Sequence, residues 1–72
     1  MKKANPFYLT KEWKAKRQEI LELQHYECQE CKRQGRVTTI ADSILDVDHI
    51  IPYKERPDLA LDNDNLQVLC RT

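Results

Sequence analysis

The sequence predicts an α+β fold: one amphipathic helix near the N-terminus, a tight turn built on a cysteine pair, and short strands in the C-terminal half. Three observations carry this. Residues 11–24 contain neither proline nor glycine and repeat apolar side chains at helical spacing. Cys28 and Cys31 are followed by Gly35, the only glycine in the chain. Two later runs, Ile44 to Ile51 and Leu66 to Cys70, are rich in the apolar and β-branched residues that suit a half-buried pleated surface.

Residues 4 to 10 read as an irregular lead-in carrying Phe7 and Tyr8. Thr10 is placed to cap a helix, with Glu12 in the first turn, where the helix dipole favours an acid. The helix is expected from Lys11 to about Gln24. Trp13, the stem of Arg17, Ile20 and Leu21 fall on one face, and Lys and Glu occupy the other. Trp13 reads as a core anchor. The spacing of Cys28 and Cys31 lets both thiolates reach one ion, so this turn reads as a zinc knuckle. Val37 to Ile40 is expected to be a short strand, and residues 44 to 51 a second strand stopped by Pro52, which has no N–H for a ladder. Tyr53 to Asn65, with Pro57 and several Asp and Asn, reads as a loop, and Leu66 to Cys70 as a final apolar strand. No repeat, low-complexity tract or second domain is visible, so residues 1–72 read as one domain.

A chain of 72 residues has a marginal core, and domains of this size commonly need a disulfide, a metal or a partner. No long apolar run could span a membrane, and the start of the chain lacks the apolar stretch of a signal peptide. A cytoplasmic location is therefore expected, and there cysteines more often bind metals than form disulfides. The odd count, Cys28, Cys31 and Cys70, also argues against a disulfide framework. Net charge is zero but uneven. Lys2, Lys3, Lys11, Lys14, Lys16 and Arg17 are opposed only by Glu12 at the front. Asp42, Asp46, Asp48, Glu55, Asp58, Asp62 and Asp64 outnumber Lys54 and Arg56 further on. A basic front could meet phosphates and an acidic back could hold a hard cation, although solvated surface accounts for either.

Three features carry chemistry. The Cys28–Cys31 pair suits a metal better than a redox role, because a redox pair is expected to open a helix after a strand, whereas this one follows a helix and precedes a turn. Asp48-His49 sits within Val47 to Pro52. Adjacent strand residues point to opposite faces, so the two serve one cleft only if the chain bends there; otherwise they are polar positions between apolar ones. Asn65, at the entry to Leu66–Cys70, could cap a turn, and Cys70 could be a small buried hydrophobe.

Taken in order, Cys-x-x-Cys, Asp-His-Ile-Ile-Pro and Asn-Leu-x-x-Leu-Cys resemble the HNH endonuclease family, in its zinc-stapled phage-type branch. Phe7-Tyr8, Glu12-Trp13-Lys14, Arg17 and Tyr26-x-Cys28 look like that branch too. The resemblance covers nearly the whole chain. It implies a ββα-metal core, in which a two-stranded hairpin and a helix enclose one divalent ion. It implies that Cys28, Cys31 and Cys70 bind a structural zinc (Zn2+), and that Asp48 binds the catalytic metal, magnesium or manganese (Mg2+ or Mn2+), sometimes nickel (Ni2+). It makes His49 the general base, and Asn65 the residue that braces the base's loop or orients the His. Such residues suit phosphodiester hydrolysis: an imidazole titrates near working pH and can take a proton from water, and a carboxylate suits a hard Lewis-acidic ion. Lys11, Lys14 and Arg17 become candidate DNA contacts, which would set affinity rather than sequence choice. The family continues past its third cysteine with a fourth cysteine, a metal-binding His and a helix, so the resemblance implies that Cys70-Arg71-Thr72 stops before them. His25 could lend a nitrogen to zinc but reads better as a helix-end residue. A DNA endonuclease is thus expected, with the terminase large subunit of a phage as a partner by resemblance; the alternative is a non-catalytic zinc and nucleic-acid binding module.

Overall fold

The computed structural model describes residues 6–71, so Lys2, Lys3 and Thr72 lie outside the described residues. The lead-in is more ordered than the sequence suggested: Pro6–Leu9 forms a turn of 3-10 helix. Phe7 O accepts from the Thr10 N–H and from the Thr10 hydroxyl, which closes this turn onto the start of the next helix.

Helix α1 spans Lys11–Leu23. Thr10 is extended, and its hydroxyl accepts from the Trp13 N–H at 3.2 Å, occupying one of the donors a helix start leaves unpaired. The expected apolar face is the buried one: Trp13, Ile20 and Leu21 face the core and Arg17 is half-buried. After Gln24 the chain reverses through His25 and Tyr26, both left-handed at φ 60° and 52°. This lets the Tyr26 N–H return to Leu21 O at 2.8 Å. A side chain in that region costs about 1–2 kcal/mol, and glycine avoids it at an entropic cost of roughly 0.5–1 kcal/mol. His25→Gly should therefore raise stability, by up to about 1 kcal/mol; a lower denaturation midpoint for that variant would contradict the assignment of strain.

Helix α2, Gln29–Arg33, begins between the two cysteines, with Cys28 as its cap. This corrects the expectation that the pair merely precedes a turn. The predicted strand over Val37 to Ile40 is also corrected. Only an isolated bridge joins Glu27 to Thr39, with Cys28 N donating to Thr38 O at 2.9 Å. Asp42 turns the chain by accepting from the Thr39 N–H at 3.0 Å. Val37 and Ile40 remain 72% and 62% exposed, so β-branching had no partner strand or core on which to act.

Strands β1 (Leu45–His49) and β2 (Leu66–Cys70) pair antiparallel, with Leu45 opposite Cys70, Val47 opposite Val68 and His49 opposite Leu66. The first is shorter than residues 44 to 51. Past His49 the Ile50 and Ile51 N–H groups go to the backbone and side-chain oxygens of Asn65 instead of to a ladder. Leu45, Leu66 and Val68 join Trp13, Ile20, Leu21, Cys28 and Cys31 in the core, so α1 and α2 pack on one face of the pair. The result is an α+β fold of helices and an antiparallel hairpin.

A side chain completes the free edge of β2. Gln24 donates to Leu66 O at 3.0 Å and accepts from Val68 N at 2.7 Å, as a neighbouring strand would. Gln24→Ala leaves both backbone groups without that partner, and should cost about 1–3 kcal/mol. Thermal unfolding of the variant measures it, and a change below about 0.5 kcal/mol would show that water serves this edge equally well.

Candidate metal centre and catalytic site

The three cysteines converge from distant parts of the chain. Cys28 and Cys31 come from the start of α2 and Cys70 from the end of β2. The Cys31 N–H points at Cys28 Sγ, 3.5 Å away. Cys31 Sγ lies 3.7 Å from Cys70 Sγ, and all three sulfurs lie within 4.8 Å of one another. A disulfide needs about 2.05 Å. Zinc–thiolate bonds of ~2.3 Å in a tetrahedron place sulfurs about 3.8 Å apart. The cluster thus has the dimensions of a thiolate metal site, and the third thiol separates it from a simple redox pair even though the pair opens a short helix. The Cys31 thiol is held down to about 7 by hydrogen bonds from Thr38 first, then from Arg36 and Cys28. That favours the thiolate, the form that binds metals. His25 is exposed and no member of this group.

His49 ends β1 and is 8% exposed, on the inner face. Nε2 lies 3.1 Å from Ala60 O. A carbonyl only accepts, so Nε2 carries the proton and a neutral ring keeps its lone pair on Nδ1. That nitrogen faces the Tyr8 hydroxyl at 3.4 Å. Trp13 stacks on the imidazole at 5.3 Å and 27°, and Phe7, Tyr8 and Tyr53 complete an aromatic surround at 6.0–6.2 Å. The ring is therefore held in one orientation and one tautomer, with one basic nitrogen directed toward the Tyr8 edge.

Asp48 is exposed while His49 is buried, so strand alternation persists through this step. Asp48 nevertheless stays close: its Oδ1 accepts from the His49 N–H at 3.0 Å. Burial, then the Asp48 charge and Tyr53, push the Tyr8 phenol above its ordinary range. Tyr8 thus lies within the field of the carboxylate and within reach of the imidazole. Asn65 is 5% exposed. Its Oδ1 accepts from Ile51 N at 2.8 Å, and its Nδ2 donates to Ile51 O at 3.2 Å and Leu59 O at 3.4 Å. One amide thereby ties together both ends of the loop whose next residue, Ala60, holds the imidazole.

The charged residues separate by use. Lys11 and Lys14 are exposed on α1 and form no ion pair among the described residues. Arg17 lies near Asp46, whose carboxyl is held below its usual range first by hydrogen bonding to Arg71, then by the charges of Arg71 and Arg17. Lys16 is engaged by Glu19 and Asn63. In the acidic half, Asp58 binds Arg56, Asp46 binds Arg71, and Asp42 and Asp62 cap turns. Among the described residues, the three thiols are the group of at least three possible ligands that comes together, and no such group forms around Asp48.

Several residues that shape this site carried little signal. Tyr8 was visible in the lead-in and in the family resemblance, but with no role assigned to it. Tyr53 lay in a segment read as loop. The Ala60 carbonyl is backbone, which no residue type announces. Gln24 sits at a helix end, where a glutamine is unremarkable.

The comparisons with known proteins identify the family and the fold. The family model described as HNH endonuclease matches residues 28–72. No curated protein sequence matches the chain. Among solved structures, the HNH endonuclease of the deep-sea thermophilic bacteriophage GVE2, crystallised with a manganese ion, superposes with a TM-score of 0.82 at 36% identity, covering 92% of this chain and 67% of that one. With its family match extending over more than half its length, the chain belongs to the HNH endonuclease family.

Proposed function

We propose that this chain carries the catalytic base and a structural metal site of a metal-dependent DNA endonuclease. The observation that carries the reading is the bond from His49 Nε2 to the Ala60 carbonyl, which leaves Nδ1 as a fixed base at an aromatic-walled edge beside Asp48. His49 Nδ1 takes a proton from water as that water attacks the phosphorus, and the 3′ oxygen leaves. Asn65 holds the loop that orients the imidazole. Asp48 would supply a carboxylate oxygen to a divalent cation, magnesium or manganese, with nickel a further candidate. Such an ion, when bound, offsets charge on the scissile phosphate and the leaving oxygen. Cys28, Cys31 and Cys70 fit a zinc ion by sulfur spacing and thiolate character. Lys11, Lys14 and Arg17 serve as DNA contacts, with Lys11 and Lys14 free of ion pairs among the described residues. A place in phage DNA packaging, with the terminase large subunit as partner, is proposed from the family resemblance; the likeness to a phage enzyme bears only on a phage setting.

A second reading is favoured by one observation: Asp48 gathers no further ligand group among the described residues. On that reading the chain is a zinc and nucleic-acid binding module without catalysis. Incubation of the 72-residue chain with supercoiled plasmid and magnesium or manganese separates the two. Nicked or linear product supports the endonuclease; DNA retention without any product supports the module.

A further inference from the structure

A groove of about 490 Å3 opens beside His49, lined by Tyr8, Tyr53, Lys54 and Pro57. That volume lies within the roughly 300–1,000 Å3 range of small-ligand sites. Its walls combine two phenol rings, a proline and a cation. Phe7 stacks behind Tyr53 at 4.9 Å and 26°, which stiffens that ring and covers one side of it. The Tyr8 and Tyr53 centroids are 6.3 Å apart at 51°, too tilted to sandwich a flat ligand, so a ligand lies on one ring at a time. In the same loop Arg56 is taken by Asp58, while Lys54 is exposed and forms no ion pair among the described residues. The groove adjoins the proposed reaction centre through Tyr8, which lines it and whose hydroxyl lies 3.4 Å from His49 Nδ1.

A flat apolar face beside an uncommitted cation suits a nucleotide, whose base stacks and whose phosphate is anionic. We propose that this groove is a single-nucleotide subsite: one base next to the scissile phosphate leaves the DNA stack and lies on Tyr53, and Lys54 takes its flanking phosphate. The proposal rests on the endonuclease reading and names what that site grips beyond the scissile bond. Stacking reads no base edge, so the subsite tolerates every base and favours places where a base unstacks easily.

The test measures binding separately from cleavage. Fluorescence anisotropy in calcium follows the intact chain on duplexes carrying one unpaired base, compared with the same duplexes in which an abasic site replaces that base, as the position is moved stepwise along one strand. One position should lose about 5- to 150-fold in affinity, the loss expected for one stacked base. Tyr53→Phe should keep this position dependence and Tyr53→Leu should lose it. Lys54→Gln, an exposed change with no fold to disturb, should lower the slope of log affinity against log salt by about 0.9, one phosphate contact. A flat abasic profile for the native chain, or an unchanged slope for Lys54→Gln, overturns the subsite even where plasmid is cleaved. An abasic-sensitive position without plasmid cleavage in magnesium or manganese upholds the subsite and overturns the endonuclease reading. No DNA binding at all overturns both.

Discussion

Removal of a metal held by Cys28, Cys31 and Cys70, as proposed above, should unfold this chain. A strong chelator, added near neutral pH, is expected to abolish the cooperative thermal transition rather than shift it. Chains of this length rarely draw more than about 3–5 kcal/mol from their core, whereas a structural zinc in small finger domains contributes on the order of 10 kcal/mol. The site joins α2 to β2, with Cys31 and Cys70 39 positions apart in the chain. Without the ion, three polarisable thiols meet where Leu45 and Val68 pack, and α2 is held to the sheet only by that packing and an exposed hydrogen bond from Arg33 to Gln67. Zinc analysis should show about one ion per chain, in line with one thiolate cluster. Cys70→Ser, which keeps size but weakens the soft donor, should lower both the bound zinc and the melting temperature. A melting curve identical with and without chelator would remove the metal from the account of stability.

Replacement of His49 should separate catalysis from folding. A positioned general base contributes about 10²–10⁴-fold, so loss of Nδ1 should reduce plasmid cleavage by that factor. His49→Ala confuses the outcome, because it also leaves the Ala60 carbonyl without its donor and opens space beside Trp13. His49→Gln is the cleaner change: its amide can donate to Ala60 O but cannot serve as a base near neutral pH. We expect cleavage lowered by about 10²-fold or more with a destabilisation below about 1.5 kcal/mol, the net worth of an ordinary hydrogen bond. Cleavage by His49→Gln within tenfold of the native rate would assign the base to another group.

What was legible and what was not divides along a physical line. Helix α1 was readable because its cap, its charge placement and its apolar spacing are local and agree with one another. Strand β2 was readable because Leu66 to Cys70 is short, mostly apolar and preceded by turn residues. Val37 to Ile40 misled because a strand is a statement about a partner, and the nearest backbone offers only one bridge. The Cys28–Cys31 turn was seen, but its conversion into a capped helix depends on where the chain goes after Tyr26, whose positive φ nothing in the residue type foretells.

The sequence by itself determined the chemical inventory: three thiols, an Asp-His step, an Asn before a strand, and a helix with one apolar face, in an order that resembles one family. Tertiary structure alone decided which atoms meet. It brought Cys70 to 3.7 Å from Cys31, placed the Ala60 carbonyl on His49 Nε2, and gathered Phe7, Tyr8, Trp13 and Tyr53 around that ring. Most of these contacts join distant segments, and one of them uses a backbone carbonyl, a group that every residue carries. Their partners are chosen by the packing of α1 against the strand pair and by the loop that Asn65 ties, not by any local pattern.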